Sequence, residues 1–188
     1  MTAHLTDEQG QVLVKLARAN IAAELGFKAP WPEHDDFLKH PGASFVTLHL
    51  DGQLRGCIGT LVPYRELCDD VAENALSAAF HDPRFRPLSA AEYPEIELSV
   101  SVLSPPQPVE FDGTEAGAIA ALQPGSDGVV LYAGRHRATY LPQVWESLPD
   151  PQEFLRTLKR KSRLDDHFWS SEVRLERYSV DEWSESHS

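Results

Sequence analysis

The sequence predicts a mixed fold of antiparallel hairpins and amphipathic helices, and three observations carry that reading. Two apolar, β-prone runs, 45–50 and 128–132, each pass through a glycine-bearing turn into a second run, 54–60 and 136–141. Gly accepts the positive φ that such turns need, so each pair reads as a hairpin. A separate stretch, 95–103, alternates apolar and polar residues as a strand with one buried face does. Around these runs, apolar residues recur at helical spacing.

The first helix starts at Thr6-Asp7-Glu8-Gln9, a capping-box pattern. It continues through Val12, Leu13, Leu16, Ala17, Asn20 and Ile21 to a natural stop at Gly26. Residues 29–42 carry Pro30, Pro32 and Pro41 and read as loop or short turns, with Trp31 and Phe37 expected to pin them to the body. His34-Asp35-Asp36 reads as solvated loop, because three adjacent side chains rarely converge on one ion. In the first hairpin a three-residue loop, 51–53, pairs Leu50 with Leu54, His49 with Arg55, Leu48 with Gly56, Thr47 with Cys57 and Val46 with Ile58. That register leaves one apolar face and one face carrying Thr47, His49, Arg55 and Cys57; a two-residue loop would mix them.

After Pro63, a helix over 64–80 shows the stripe Leu67, Cys68, Val71, Ala72, Ala75, Leu76, Ala79 and Phe80, which assigns Cys68 to the core. Asp82-Pro83 ends it. The loop His81-Asp82-Pro83-Arg84-Phe85-Arg86-Pro87 admits two readings: a helix-ending turn with an Asp–Arg pair, or a loop that brings His81, Asp82 and Arg84 toward Cys57. Ser104-Pro105-Pro106-Gln107-Pro108 breaks the strand 95–103 and marks a boundary between halves of about 1–104 and 105–183 of a single domain.

The second half opens with a short helix over 114–122. In its hairpin, Val129, Leu131, Gly134, Arg137 and Thr139 echo Val46, Leu48, Gly52, Arg55 and Cys57 of the first. This reads as an internal duplication with Cys57 and Thr139 in equivalent places. A short helix over 142–148 with Trp145 inward follows, then a helix over 151–161 with Phe154, Leu155 and Leu158 on one face. One strand over 173–180 closes the fold, and 184–188 is expected to be a disordered tail.

Composition narrows the function. The chain has 188 residues, 41% of them hydrophobic, with a net charge of −12, so it is globular and a poor candidate for nonspecific nucleic-acid or membrane-surface binding. The basic run 156–163 reads as a solvated helix face. Cys57 and Cys68 fall in a strand and a helix, which argues against a disulfide framework. The histidines show neither H-x-x-x-H spacing nor a C-x-x-C companion, so no metal or other cofactor is expected. With no charged-then-apolar leader and no run long enough to span a bilayer, the expected location is the cytoplasm.

Several segments taken together carry a family resemblance. Leu54-Arg55-Gly56-Cys57-Ile58-Gly59-Thr60, Asp82-Pro83-Arg84-Phe85-Arg86-Pro87-Leu88, Ser99-Val100-Ser101-Val102-Leu103-Ser104 and Ala138-Thr139-Tyr140-Leu141-Pro142-Gln143-Val144-Trp145 occur in that order. The chain resembles the AMMECR domain family, called AmmeMemoRadiSam system protein A in prokaryotes, from about the first helix to Tyr178. The resemblance implies an α+β domain of two β-β-β-α-α-like halves sharing one curved, mainly antiparallel sheet with flanking helices, and a cleft near the Cys57 strand. It implies association with a Memo-type protein related to extradiol dioxygenases and with a radical S-adenosylmethionine enzyme, and no particular reaction. One departure stands out: the family tends to have Lys-Ala-Gly-Leu where this chain has Lys161-Ser162-Arg163-Leu164.

Two readings of the polar hairpin face follow. As an enzyme, Cys57 is the nucleophile or redox thiol with Arg55 lowering its pKa. His49, His81 or Asp82 then supply acid–base chemistry, and Arg84, Arg137 and Thr139 contact substrate. As an accessory subunit, the Arg55–Cys57 face and the 81–84 loop form a docking or small-ligand surface without turnover. Nucleic-acid handling through 156–163 is the least favoured by charge.

Overall fold

The computed structural model describes residues 4–185 and is an α+β fold. Helix α1 (Asp7–Leu25) begins in the expected capping box, with Thr6 accepting from the Gln9 amide, and ends at Gly26 in the left-handed region, φ 80°. Strands β1 (Ala43–Leu50) and β2 (Gln53–Gly59) form the first hairpin. Helix α2 (Leu67–Phe80) and strand β3 (Ile96–Leu103) follow. After the two-residue β4 (Gln107–Pro108) come α3 (Glu115–Ala121), β5 (Gly128–Ala133) and β6 (His136–Tyr140). Helix α4 (Pro151–Lys161), β7 (Arg174–Tyr178) and β8 (Val180–Ser184) complete the chain. Among the described residues no helix is long and apolar enough to cross a membrane.

The hydrogen-bond ladders group the strands into two four-stranded sheets, β2-β1-β3-β8 and β4-β7-β5-β6, rather than one curved sheet. The described residues divide into two compact units. One runs to Leu103 and resumes at Asp181; the other is Ser104–Val180. The final strand is therefore two strands. The chain breaks at Ser179, whose carbonyl and amide are held by the Ser104 amide and hydroxyl, and β8 then joins β3. The tail expected from Ser184 is cut back accordingly: Ser184 closes β8, and the Glu185 amide bonds the Leu98 carbonyl. Residues 186–188 lie outside the described residues.

In the first unit, α1 and α2 lie on one face of the sheet around Leu13, Ile21, Val46, Leu48, Val71, Leu98 and Val100. The second unit buries Leu131, Leu175, Phe154, Leu155 and Leu158, with the Trp145 ring stacked on Phe154 at 3.7 Å. The basic run is not wholly solvated. Lys159 is buried, and its ammonium donates to Glu115 (2.7 Å) and to the Phe168 carbonyl (3.2 Å). Trp31 is exposed and does not pin its loop; Phe37 packs against the core instead.

The two sheets share a wiring. In each, the first strand of a hairpin is central, and a helix precedes a third strand that pairs with it: β2-β1-β3 and β6-β5-β7. This is a likeness of topology and does not establish a duplication.

Arg163 explains the departure at 161–164. Its φ is +67°, and its amide bonds the Arg160 carbonyl while the Leu164 amide bonds the Lys159 carbonyl. This is a Schellman cap, whose left-handed position favours glycine for its missing Cβ. A glycine at this position would thus answer a backbone conformation. Arg163→Gly is expected to stabilise the protein by about 0.5–1 kcal/mol, relief of strain outweighing added unfolded-state entropy. Thermal unfolding should show a midpoint higher by about 1–4 °C; an unchanged midpoint would mean that the arginine side chain compensates.

Candidate functional site

The first hairpin combines both registers considered from sequence. Asp51 and Gly52 both take positive φ and form a two-residue turn, so Leu50 pairs with Gln53 and His49 with Leu54. The register then shifts at Leu48/His49, leaving Arg55 as the extra residue of a β-bulge. From there on Leu48 faces Gly56, Thr47 faces Cys57 and Val46 faces Ile58, as expected. The pairings of His49 with Arg55 and of Leu50 with Leu54 do not form. The bulge permits a tight turn and a single apolar face at once.

Cys57 lies on β2, an edge strand, in one row with Thr47 and Ser99. Its half-buried thiol accepts a hydrogen bond from the Thr47 hydroxyl at 3.2 Å. Its backbone is held from the open side of the strand. The Cys57 amide donates to Asp82 Oδ2 (3.0 Å), and Arg84 Nη2 donates to the Cys57 carbonyl (3.2 Å). The loop after α2 therefore runs beside the strand, and it delivers Asp82 and Arg84 to Cys57. His81 is exposed at the end of α2, and no hydrogen bond joins its ring to Cys57.

Asp82 is buried and accepts from four donors: the Cys57 amide, the Arg84 amide (3.1 Å), Arg84 Nε (3.0 Å) and Arg84 Nη2 (2.7 Å). The Arg84 guanidinium and those amides hold its carboxyl far below the usual carboxylate range. A carboxylate so engaged positions its neighbours and is a poor proton carrier. Arg55, in turn, is not directed at the thiol. Its Nε and Nη2 donate to Glu92 (3.0 and 3.2 Å), and Nη2 also donates to the Arg86 carbonyl (2.8 Å). Arg55 and then Ser89 bring the Glu92 carboxyl down to about 2. The positive charge expected to act on Cys57 is thus neutralised by Glu92.

The glycines flanking Cys57 have distinct reasons. A Cβ on Gly56 would overlap the backbone carbonyl oxygen of Ala78, so here a second backbone does approach closely. A Cβ on Gly59 would overlap the Phe45 ring, so that space is filled by the protein itself.

Sequence reasoning missed a polar cluster beneath this hairpin. Asp70, fully buried on α2, accepts from the Ser44 amide (2.8 Å) and hydroxyl (2.6 Å), Thr60 Oγ1 (2.8 Å), Arg65 Nε (2.8 Å) and Asn74 Nδ2 (3.1 Å). Asn74 also donates to the Ser44 carbonyl at 3.0 Å. With every acceptor engaged, the cluster ties α2 to both ends of the hairpin and has no vacancy for a ligand. Asp70 and Asn74 lie four residues apart on α2, which was the available signal. The buried face of α2 accordingly runs through Asp70, Asn74 and Ala78, and Cys68 is only partly buried. Burial and Asp69 push its thiol pKa up. Cys68, Glu66 and Asp69 form the one group of possible metal-ligand atoms among the described residues, on the exposed first turn of α2.

Thr139 and Arg137 belong to β6. The Thr139 hydroxyl bonds the Val129 carbonyl and the Tyr178 hydroxyl, each at 2.9 Å, and Lys161 Nζ donates to the Thr139 carbonyl at 2.8 Å. The edge strands β2 and β6 thus each have a carbonyl capped by a basic side chain, at Cys57 and at Thr139. This blunts strand edges against pairing with other chains.

Comparison with known proteins places this geometry in context. The profile of a family described as AMMECR1 matches residues 14–183. A protein of Methanothermobacter thermautotrophicus is 37% identical over 95% of this chain and 95% of its own. A protein of Thermotoga maritima is 36% identical over 79% of this chain and 81% of its own. The crystal structure of protein PH0010 from Pyrococcus horikoshii superposes with a TM-score of 0.78 at 29% identity, covering 97% of this chain and 94% of that one.

Proposed function

The chain belongs to the AMMECR1 family, and from that premise we propose that it is a thiol enzyme whose nucleophile is Cys57. The observation that supports this reading is the way Cys57 is held. Asp82 and Arg84 fix its amide and carbonyl while Thr47 donates to its sulfur. Fixing a nucleophile's backbone from two sides limits its motion toward an electrophile, which is what orientation contributes to catalysis. In this reading Asp82 and Arg84 are positioning residues and Thr47 polarises the sulfur. His49, two residues along β1 from Thr47, is the candidate for proton transfer on the same hairpin, and a Memo-type protein and a radical S-adenosylmethionine enzyme are the partners of the pathway.

The test is alkylation of the folded protein by iodoacetamide in a Cys68→Ser background. Cys57 should label under native conditions, and Thr47→Val should slow labelling at pH 7 severalfold. Labelling that begins only when the protein unfolds would sink the proposal.

A second reading, a docking module without turnover, is favoured by one specific observation. Arg55 and Arg84 are already neutralised by Glu92 and Asp82, so neither offers a free charge beside the thiol.

A further inference from the structure

The face of the second sheet that bears Tyr132 carries a cluster that the Cys57 reading does not use. On central strand β5, Tyr132 pairs with Arg137 of β6 on one side and with Arg174 of β7 on the other. A guanidinium from each flanking strand lies over the tyrosine ring, with carbons 5.3 and 5.6 Å from its centroid. Arg135 stands in the adjoining hairpin turn, and all three arginines are exposed. Most arginines of this chain are ion-paired to carboxylates. Among the described residues, Arg135, Arg137 and Arg174 have no carboxylate within ion-pair distance. Glu176, two residues along β7 from Arg174, shares the Tyr132 hydroxyl with Arg137.

In a chain with 29 acidic and 17 basic side chains, three unpaired arginines at one sheet end are a local reversal of sign. We propose that the Arg137–Tyr132–Arg174 face is a docking surface for an acidic peptide segment of a partner protein. Guanidinium forks match carboxylates in a two-point geometry, and the tyrosine holds both in place by cation–π attraction, so little side-chain freedom is lost on binding. The arginines are two strands apart, about 10 Å, which asks for acidic groups of similar separation.

Two features favour a peptide over nucleic acid. The Tyr132 ring already has a guanidinium from each flanking strand close to it, so a base would have to displace one of them to stack. A long polyanion would also meet the field of a chain carrying −12, whereas a short acidic peptide senses mainly charges within a Debye length of about 8 Å.

Fluorescence anisotropy of labelled hexaglutamate on the full chain at 50 mM salt tests the proposal, with hexaglutamine and a twelve-residue oligothymidylate as controls. Hexaglutamate should bind, hexaglutamine should not, and Arg137→Glu with Arg174→Glu should weaken binding at least tenfold. Circular dichroism of the variant guards against misfolding, and Arg137→Gln with Arg174→Gln gives a milder version of the same loss. No hexaglutamate binding by the native chain, an unchanged affinity in the folded variants, or tighter binding of the oligothymidylate would overturn it.

Discussion

Gly56→Ala should cost the first unit about 3 kcal/mol, the largest effect expected of any single methyl group in this protein. The added Cβ points into the carbonyl oxygen of Ala78, which belongs to the backbone of α2 and cannot rotate away as a side chain would. Either β2 or α2 has to shift. Both are tied on the far side, β2 by its pairing with β1 and α2 by the Asp70 cluster. Overpacking typically costs about 1–3 kcal/mol, and a backbone-to-backbone clash between two tethered elements belongs at the upper end. Thermal unfolding should begin about 6–12 °C lower. Cys57 neighbours Gly56, so its alkylation should accelerate well below the new midpoint. A variant that melts like the native protein would mean that hairpin and helix slide apart freely, and the rigid support assigned to Cys57 would fail with it.

The same contact shows what could be read in advance. Two glycines around a cysteine point to close approach, and at Gly56 the approaching partner is backbone. The identity of that partner could not be read, because Ala78 is one of several alanines on α2 and only the packed helix decides which carbonyl faces the strand. The hairpin illustrates a different limit. Alternation of apolar residues fixes the register far from the turn, and Thr47 does meet Cys57. Near the turn, Asp51-Gly52 prefers a two-residue loop, and the conflict resolves in a bulge at Arg55. That bulged position is also why Arg55 reaches Glu92 and Arg86 rather than serving the thiol.

Helix α2 was legible in its extent but not in its orientation. Its apolar stripe is almost symmetric about Val71 and Ala75, so hydrophobic spacing permits rotation either toward Cys68 or toward Asp70. Rotation toward Asp70 wins because Ser44, Thr60, Arg65 and Asn74 satisfy the buried carboxylate. None of those partners is near enough in sequence, apart from Arg65 and Asn74, to have announced itself. Lys159 is a similar case: a basic run on a helix looks solvated until Glu115, 44 residues earlier, is brought beside one of its members.

Asp82→Asn should destabilise the first unit by about 2–3 kcal/mol at pH 7 and loosen Cys57. Removing one partner of a buried ion pair costs about 3–5 kcal/mol, but Arg84 is 54% exposed and can return to water, which lowers the figure. The asparagine also turns one oxygen into an NH2 group facing N–H donors, so the Cys57 amide or an Arg84 donor loses its acceptor. The acid dependence separates charge from shape. Asp82 and Glu92 both have folded pKa values below their unfolded ones. Between those values the unfolded chain binds more protons, so stability is full above about pH 5 and falls as pH drops toward 2. The native protein should therefore lose more stability on acidification than Asp82→Asn, and the gap between their urea midpoints, widest at pH 7, should close toward pH 2. Both proteins should keep the part that Glu92 contributes, lost as pH falls through about 2. A gap that stays constant from pH 7 to pH 2.5 would assign the cost to shape alone. In that event the ionised Asp82–Arg84 pair would not be what holds the strand carrying Cys57.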